Sequence, residues 1–162
     1  FQDNALFDFM TVFDNIALPL KENPRIFSNS KSSVKEKVGL RMAQLGLEGI
    51  GEKYPVELSG GMRKRVALAR ALVTDPKIVL FDEPTTGLDP VRKHKVHRMI
   101  SKYQEDFGFS AVIVSHDIPE IFHVAQRIAM LDKGKIIFEG TPDQLSDSRD
   151  QRLNAFIRGR EF

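Results

Sequence analysis

The chain has 162 residues, 41% of them hydrophobic, and 24 Lys and Arg against 22 Asp and Glu, so it can fill a buried core while its net charge of +2 singles out neither nucleic acid nor an anionic membrane. With no cysteine it has neither a disulfide framework nor a thiolate metal centre, which suits a reducing compartment. No apolar run approaches the roughly 20 residues of a membrane-crossing helix, and the opening residues lack the charged-then-apolar layout of a secretion signal, so a membrane role is expected to act through a partner.

Thr11, with Asp14 three residues later, has the spacing of a helix cap ahead of Val12, Phe13, Ile16 and Leu18, and Pro19 and Pro24 are expected to close that helix. Residues 25–33 are polar and rich in Ser, Asn and Lys, as loops are. Val34, Val38, Met42 and Leu45 then recur at helical spacing, with Gly46 as the C-terminal stop. A turn through Gly49, Gly51 and Pro55 leads to Ser59, which can cap a third helix that reaches about Val73 before Asp75-Pro76 breaks it. Behind an opening segment of residues 1–10, residues 11–73 thus read as a helical lobe.

Strands then alternate with helices, the pattern of a parallel sheet with crossovers, over residues 74–145. Residues 78–81 and 111–114 are apolar runs of the kind buried on both faces. Between them Asp89-Pro90 starts a helix with Val96, Met99, Ile100, Tyr103 and Phe107 on one face and Gly108 at its end. Residues 117–125 are predicted as a short helix, and residues 127–131 and 135–139 as a hairpin across Asp132-Lys133-Gly134. Thr141-Pro142 begins a terminal helix, and residues 146–162 read as an exposed helical tail.

Three places carry chemistry. In Leu58-Ser59-Gly60-Gly61-Met62 a serine cap and two glycines stand at a helix start, where unpaired amides attract phosphate and glycine lets an anion approach the backbone. Alone, such a cap more often just begins a surface helix. Asp82 and Glu83 follow an apolar strand, at the strand end where parallel sheets bind ligands, although an isolated acid pair is as readily a salt bridge or cap. His116 ends the next apolar strand, where an imidazole can donate to a phosphate oxygen or orient a water.

Other features are set aside. His94, His97 and His123 lack ligand-type partners at suitable spacing and are given no role. Arg63, Lys64, Arg65 and Arg70 have no interleaved aromatics, so they read as a solvated helix face and not as a nucleic-acid surface. Gly46 to Gly51 has the glycine spacing of a phosphate-binding loop, but Glu52 replaces the lysine, Tyr54 stands where the hydroxyl ligand would follow Lys53, and a helix precedes it in place of a strand; it is a decoy.

Taken in order, Leu58 to Met62, Ile78-Val79-Leu80-Phe81-Asp82-Glu83-Pro84, Gly87-Leu88-Asp89 and Ser115-His116-Asp117 resemble the motifs of ABC transporter ATPase subunits. The resemblance implies an α/β fold, an incomplete P-loop NTPase (RecA-like) parallel-sheet core with the helical lobe of that family. It implies ATP and magnesium as cofactors. Ser59, Gly60 and Gly61 would contact phosphate, Asp82 the magnesium shell, and Glu83 the attacking water as general base, with His116 orienting the water and Glu83 or donating to the terminal phosphate. Gln2 would touch magnesium and sense the membrane subunit, and Asp89 would cross a dimer interface.

The same resemblance implies a homodimer of ATPase subunits with composite sites, a permease docked near Gln2 and the helical lobe, no nucleic acid and no direct membrane insertion. The place it implies is cytoplasmic, peripheral on the inner membrane. No P-loop is present, so the chain is expected to be a C-terminal fragment that neither hydrolyses ATP nor binds it well alone, and that self-associates through exposed strand surface or rearranges the strand at residues 111–114. Phe1-Gln2, Ala5-Leu6-Phe7, Met10 to Leu20, Gly61 to Arg65 and the 152–157 tail are similar to the ATPases of Mla-type, toluene-tolerance and Mce-type phospholipid transport systems. The alternatives are an ATPase of another importer or exporter, a nucleic-acid machine with an ABC-type head, and a non-catalytic module that completes a partner's site. The second is disfavoured because neither a coiled-coil insertion nor a tandem cassette lies between Gln2 and Ser59.

Overall fold

The computed structural model describes residues 6–23, 33–118 and 120–157, so Gln2, Pro24 and most of the polar loop lie outside the described residues. The chain forms two compact units, Phe1–Pro84 with Gln104–Val114, and Thr85–Tyr103 with Ser115–Phe162.

In the first unit, helix α1 (Val12–Glu22) starts where expected, with the Thr11 hydroxyl accepting from the Asp14 N–H. The amides of Val12 and Phe13, which a helix start leaves unpaired, donate to the carbonyls of Lys53 and Gly51 at 2.8 and 2.9 Å. Pro19 does not close this helix but sits inside it. An internal proline removes one helical hydrogen bond at a cost of about 3 kcal/mol, and here Ile16, Ala17 and Leu20 are buried around it, which offsets that cost. Asn15 is buried as well; its Oδ1 accepts from the Phe7 N–H at 2.9 Å, and its Nδ2 lies 3.0–3.1 Å from the carbonyls of Phe7, Met10 and Thr11.

Helix α2 (Val34–Gln44) begins with a reciprocal cap, in which the Ser33 hydroxyl accepts from the Glu36 N–H and the Glu36 carboxylate accepts from the Ser33 N–H. It ends at Gly46, whose φ of +64° suits a residue without a Cβ. After a 3₁₀ turn at Pro55–Glu57, α3 (Gly60–Leu72) packs on α1 and α2. Val12, Ile16, Val38, Leu45, Leu47, Val66, Ala69 and Leu72 form the buried centre. Arg41 is buried too, its guanidinium 2.5 Å from the Asp75 carboxylate and over the Phe107 ring at 4.5 Å.

Strands β1 (Ile78–Asp82) and β2 (Ser110–Val114) pair in parallel, Ile78 opposite Ser110 and Asp82 opposite Val114. The expectation of burial on both faces fails. Val79, Phe81, Ala111 and Ile113 share the covered face, whereas Ile78, Leu80, Val112 and Val114 stand exposed on the other, Leu80 at 75%. Strand periodicity puts alternate residues on opposite faces, and an apolar run shows only that both can be buried.

The second unit holds most of α4 (Pro90–Phe107), which Gly108 terminates at φ +70°. The short helix predicted for residues 117–125 is a 3₁₀ turn at Glu120–His123. Strands β3 (Ile128–Asp132) and β4 (Lys135–Gly140) form the predicted antiparallel hairpin, and Lys133 and Gly134 both have positive φ, as a two-residue turn of this hand requires. Thr141 caps α5 (Pro142–Ser146) by a reciprocal exchange with Gln144. The tail is not wholly exposed. It forms α6 (Gln151–Ile157), whose Leu153 is buried with Met130 and Leu145.

Candidate functional site

Ser59 is the N-cap of α3, with its Oγ accepting from the Met62 N–H at 3.3 Å, so the hydroxyl hydrogen can donate elsewhere. The helix interior starts at Gly60, and the amides of the first turn have no helical acceptor. A Cβ placed on Gly60 or Gly61 would meet nothing within 4 Å, so this helix end opens to a surface that an anion can approach closely. No acidic residue lies in the first turn to compete for that positive end.

Asp82 is exposed at the C-terminal end of β1. Glu83 continues the ladder, its N–H donating to the Val114 carbonyl at 2.9 Å, and it adopts a φ of +48°. A residue other than glycine in that left-handed region costs about 1–2 kcal/mol, a strain that clusters at functional sites. Lys64, in the second turn of α3, donates to the Pro84 carbonyl at 3.5 Å, which ties the helix begun by Ser59 to the segment that follows Glu83. Burial lowers the pKa of Lys64.

The basic side chains after Ser59 are half-buried, not a solvated face. Arg63 donates to the Leu58 carbonyl at 3.2 Å, and Arg70 lies over the Phe7 ring at 5.8 Å, with its pKa lowered by burial. Their stems and charges fasten α3 to its surroundings. The decoy segment is made of turns, with Gly46 and Gly49 at positive φ.

In the second unit, Asp89 caps α4, its Oδ1 accepting from the Arg92 N–H at 2.9 Å and its Oδ2 lying 3.2 Å from Arg92 Nε. His116 is exposed two residues beyond β2. Thus Ser59, Gly60, Gly61, Asp82 and Glu83 belong to the first unit, and Asp89 and His116 to the second. Gln2 lies outside the described residues.

Sequence reading gave no role to the residue after His116. Asp117 is 8% exposed; its Oδ2 accepts from Thr85 Oγ1 and its Oδ1 from Lys93 Nζ. Burial alone would raise its pKa, but the hydrogen bonds from Lys93 and Thr85 and the Lys93 charge outweigh that and hold the carboxyl below its ordinary range. Thr85 is fully buried. His97 is buried with no partner for its Nε2 among the described residues, and burial lowers its pKa.

No cluster of three His, Cys, Asp or Glu able to hold a metal occurs among the described residues. Magnesium fits this composition only in the way it commonly binds, through one or two carboxylates with phosphates and waters completing its shell, and exposed Asp82 can supply one. Among the described residues no helix is long and apolar enough to cross a membrane.

Residues 1–86 match the family described as ABC transporter. The intermembrane phospholipid transport system ATP-binding protein MlaF of Haemophilus influenzae is 37% identical over 159 residues, covering 98% of this chain and 59% of that protein. The sulfate/thiosulfate import ATP-binding protein CysA of Pectobacterium atrosepticum is 43% identical over 145 residues, covering 90% and 44%. Among solved structures, cbiO1 from Clostridium perfringens, part of the ABC transporter complex cbiONQ, aligns with a TM-score of 0.73 at 26% identity, covering 96% of this chain and 60% of that one. That likeness bears out the expected fold class, an α/β P-loop-NTPase-type core with its helical lobe. The chain spans 59% and 44% of the length of the two curated relatives.

Proposed function

This chain belongs to the ABC transporter family, and from that premise we propose that it serves an ATP-hydrolysing subunit that drives phospholipid transport at the bacterial inner membrane. The observation that carries the reading is the pairing, inside one unit, of an open Ser-Gly-Gly helix start with a strand-end Asp-Glu whose glutamate is held at positive φ. In this reading Ser59, Gly60 and Gly61 bind phosphate oxygens of ATP through amides and a hydroxyl. Asp82 serves magnesium, which when bound neutralises charge on the phosphates. Glu83 takes the proton of the attacking water, and His116 orients that water. Asp89 faces a second copy across a homodimer, and Gln2 and the helical lobe meet a permease. Such a subunit works at the cytoplasmic face of the membrane without entering it. The separate lobe, strand core and tail expected for residues 11–73, 74–145 and 146–162 divide the same roles.

Support for phospholipid as cargo comes from the MlaF relatives of Haemophilus influenzae and Escherichia coli, aligned over 159 residues. The CysA relatives favour a second reading, sulfate import, on 43% identity over a shorter span. Disrupting the gene and restoring it as wild type or Glu83→Gln separates them. We expect loss of outer-membrane lipid asymmetry, rescued by wild type and not by the variant, whose turnover falls about 10²–10⁴-fold while ATP binding persists. Intact asymmetry with failed growth on sulfate as sole sulfur source would transfer the assignment to sulfate, and unchanged turnover in the variant would remove Glu83 from the mechanism.

A further inference from the structure

We propose that Asp117 is a positioning residue for ATP hydrolysis, locking the His116 loop to the Thr85–Asp89 turn and to α4 through a buried bridge; this rests on the reading of Glu83 and His116 above. One carboxylate holds three segments of the second unit. Oδ2 accepts from Thr85, at the start of the turn, and Oδ1 accepts from Lys93, in the first turn of α4.

Each partner is fixed in its own segment. The Thr85 carbonyl accepts from the Leu88 N–H at 3.2 Å, with Gly87 at φ +74°, so the turn is closed around the residue that grips Asp117. Lys93 donates its N–H to the Asp89 carbonyl at 2.9 Å, which places it on the helix that Asp89 caps. On the other side, the Asp117 N–H donates to Ser115 Oγ at 3.1 Å, its carbonyl accepts from Ile121 at 3.0 Å, and the His116 carbonyl accepts from Ile118 at 3.0 Å. The backbone bearing the imidazole is therefore pinned immediately beside a carboxylate that cannot turn without losing the buried Thr85 hydroxyl and the half-buried Lys93 ammonium.

A buried ion pair adds little stability over an apolar pair of similar shape, but it fixes direction. A displacement of a catalytic group by 1 Å can cost about 100-fold in rate, and rate is what this bridge protects. The functional reading of His116 leaves Thr85 and Lys93 without a task, and this arrangement gives them one.

The test uses the full-length ATPase with its natural partners. Asp117→Asn keeps the shape and loses the charge, Lys93→Met removes the other half, and Thr85→Val removes the hydroxyl. Each is expected to lower kcat about 10- to 100-fold with KM for ATP within about 3-fold; Lys93→Met, which strands a buried carboxylate, is expected to lower the melting temperature as well, whereas Asp117→Asn and Thr85→Ser should change it little. The double variant Asp117→Asn with Lys93→Met should be no worse than either single one, because they break the same contact. Thr85→Ser, which restores the hydroxyl, should recover kcat to within about 3-fold. Unimpaired kcat in both Asp117→Asn and Lys93→Met, beside a His116→Ala control that has lost turnover, overturns the bridge and leaves the site reading intact. Full turnover in the His116→Ala and Glu83→Gln controls overturns the site reading and this proposal with it. Losses of kcat that track losses of melting temperature in all three single variants, without rescue by Thr85→Ser, also overturn it, since the bridge would then be scaffolding alone.

Discussion

Helices and strands of the first unit treat their apolar residues in opposite ways. The helices close a core among themselves: Val12, Ile16, Val38, Val66, Ala69 and Leu72 are all but sealed from solvent, and the fully buried polar side chain of Asn15 is held by four hydrogen-bonding contacts. The parallel strands cover only one face, and Ile78, Leu80, Val112 and Val114 remain in water. Burying a side chain of this kind contributes about 1.5–3 kcal/mol, so stability concentrates in the helices. Proposed chemistry sits where burial is thin, at the helix start of Ser59 and at the end of β1.

The largest effect that would test this contrast is in the helices. Ile16→Ala removes a fully buried side chain from α1 and should cost about 2–5 kcal/mol, read as a lowered urea midpoint of the helical circular dichroism signal. A loss under about 1 kcal/mol would mean that the helices do not carry the unit's stability. A smaller effect sharpens the same point at a helix end. Thr11→Ala deletes the hydroxyl that accepts from the Asp14 N–H and should cost about 1 kcal/mol, and Thr11→Ser should restore most of it. Equal midpoints for the alanine and serine variants would show that the Lys53 and Gly51 carbonyls, not the cap, set where α1 begins.

What sequence made legible was local. The Lys133-Gly134 turn, the caps at Thr11, Ser59 and Thr141 and the stops at Gly46 and Gly108 each depend on residues within about four positions, and each is found in place. Features that depend on distant residues were not legible. Pro19 reads as a helix end by its own chemistry, and only the packing of Ile16 and Leu20 on the other helices lets α1 continue through it. Lys64 reads as solvated because its acceptor, the Pro84 carbonyl 20 positions away, is set by folding. Asp117 shows the limit most clearly: its partners lie 32 and 24 positions away, and no spacing rule links them. The proposed site residues Ser59, Gly60, Gly61, Asp82 and Glu83 are nominated because anion and metal chemistry narrows residue type at a strand or helix end, whereas the positive φ of Glu83 was not legible.

The smallest expected effect on stability lies on the bare strand face and separates burial from mere apolarity. Leu80 alternates with Val79 along β1 and is 75% exposed where Val79 is 6% exposed, so the two differ in environment far more than in chemistry. Leu80→Thr introduces a β-branched side chain that suits a strand and should change the unfolding free energy of this chain by no more than about 0.5 kcal/mol. Its effect should appear in association, because removing the most exposed apolar side chain of the face weakens contact between copies; sedimentation at rising concentration should show less self-association than wild type. Val79→Thr, on the covered face, should instead destabilise by about 1–3 kcal/mol, as a hydroxyl enters an apolar contact. If the two substitutions proved equally costly, Leu80 would be packed in solution, and the division between a self-sufficient helical core and a half-covered sheet would not describe the molecule.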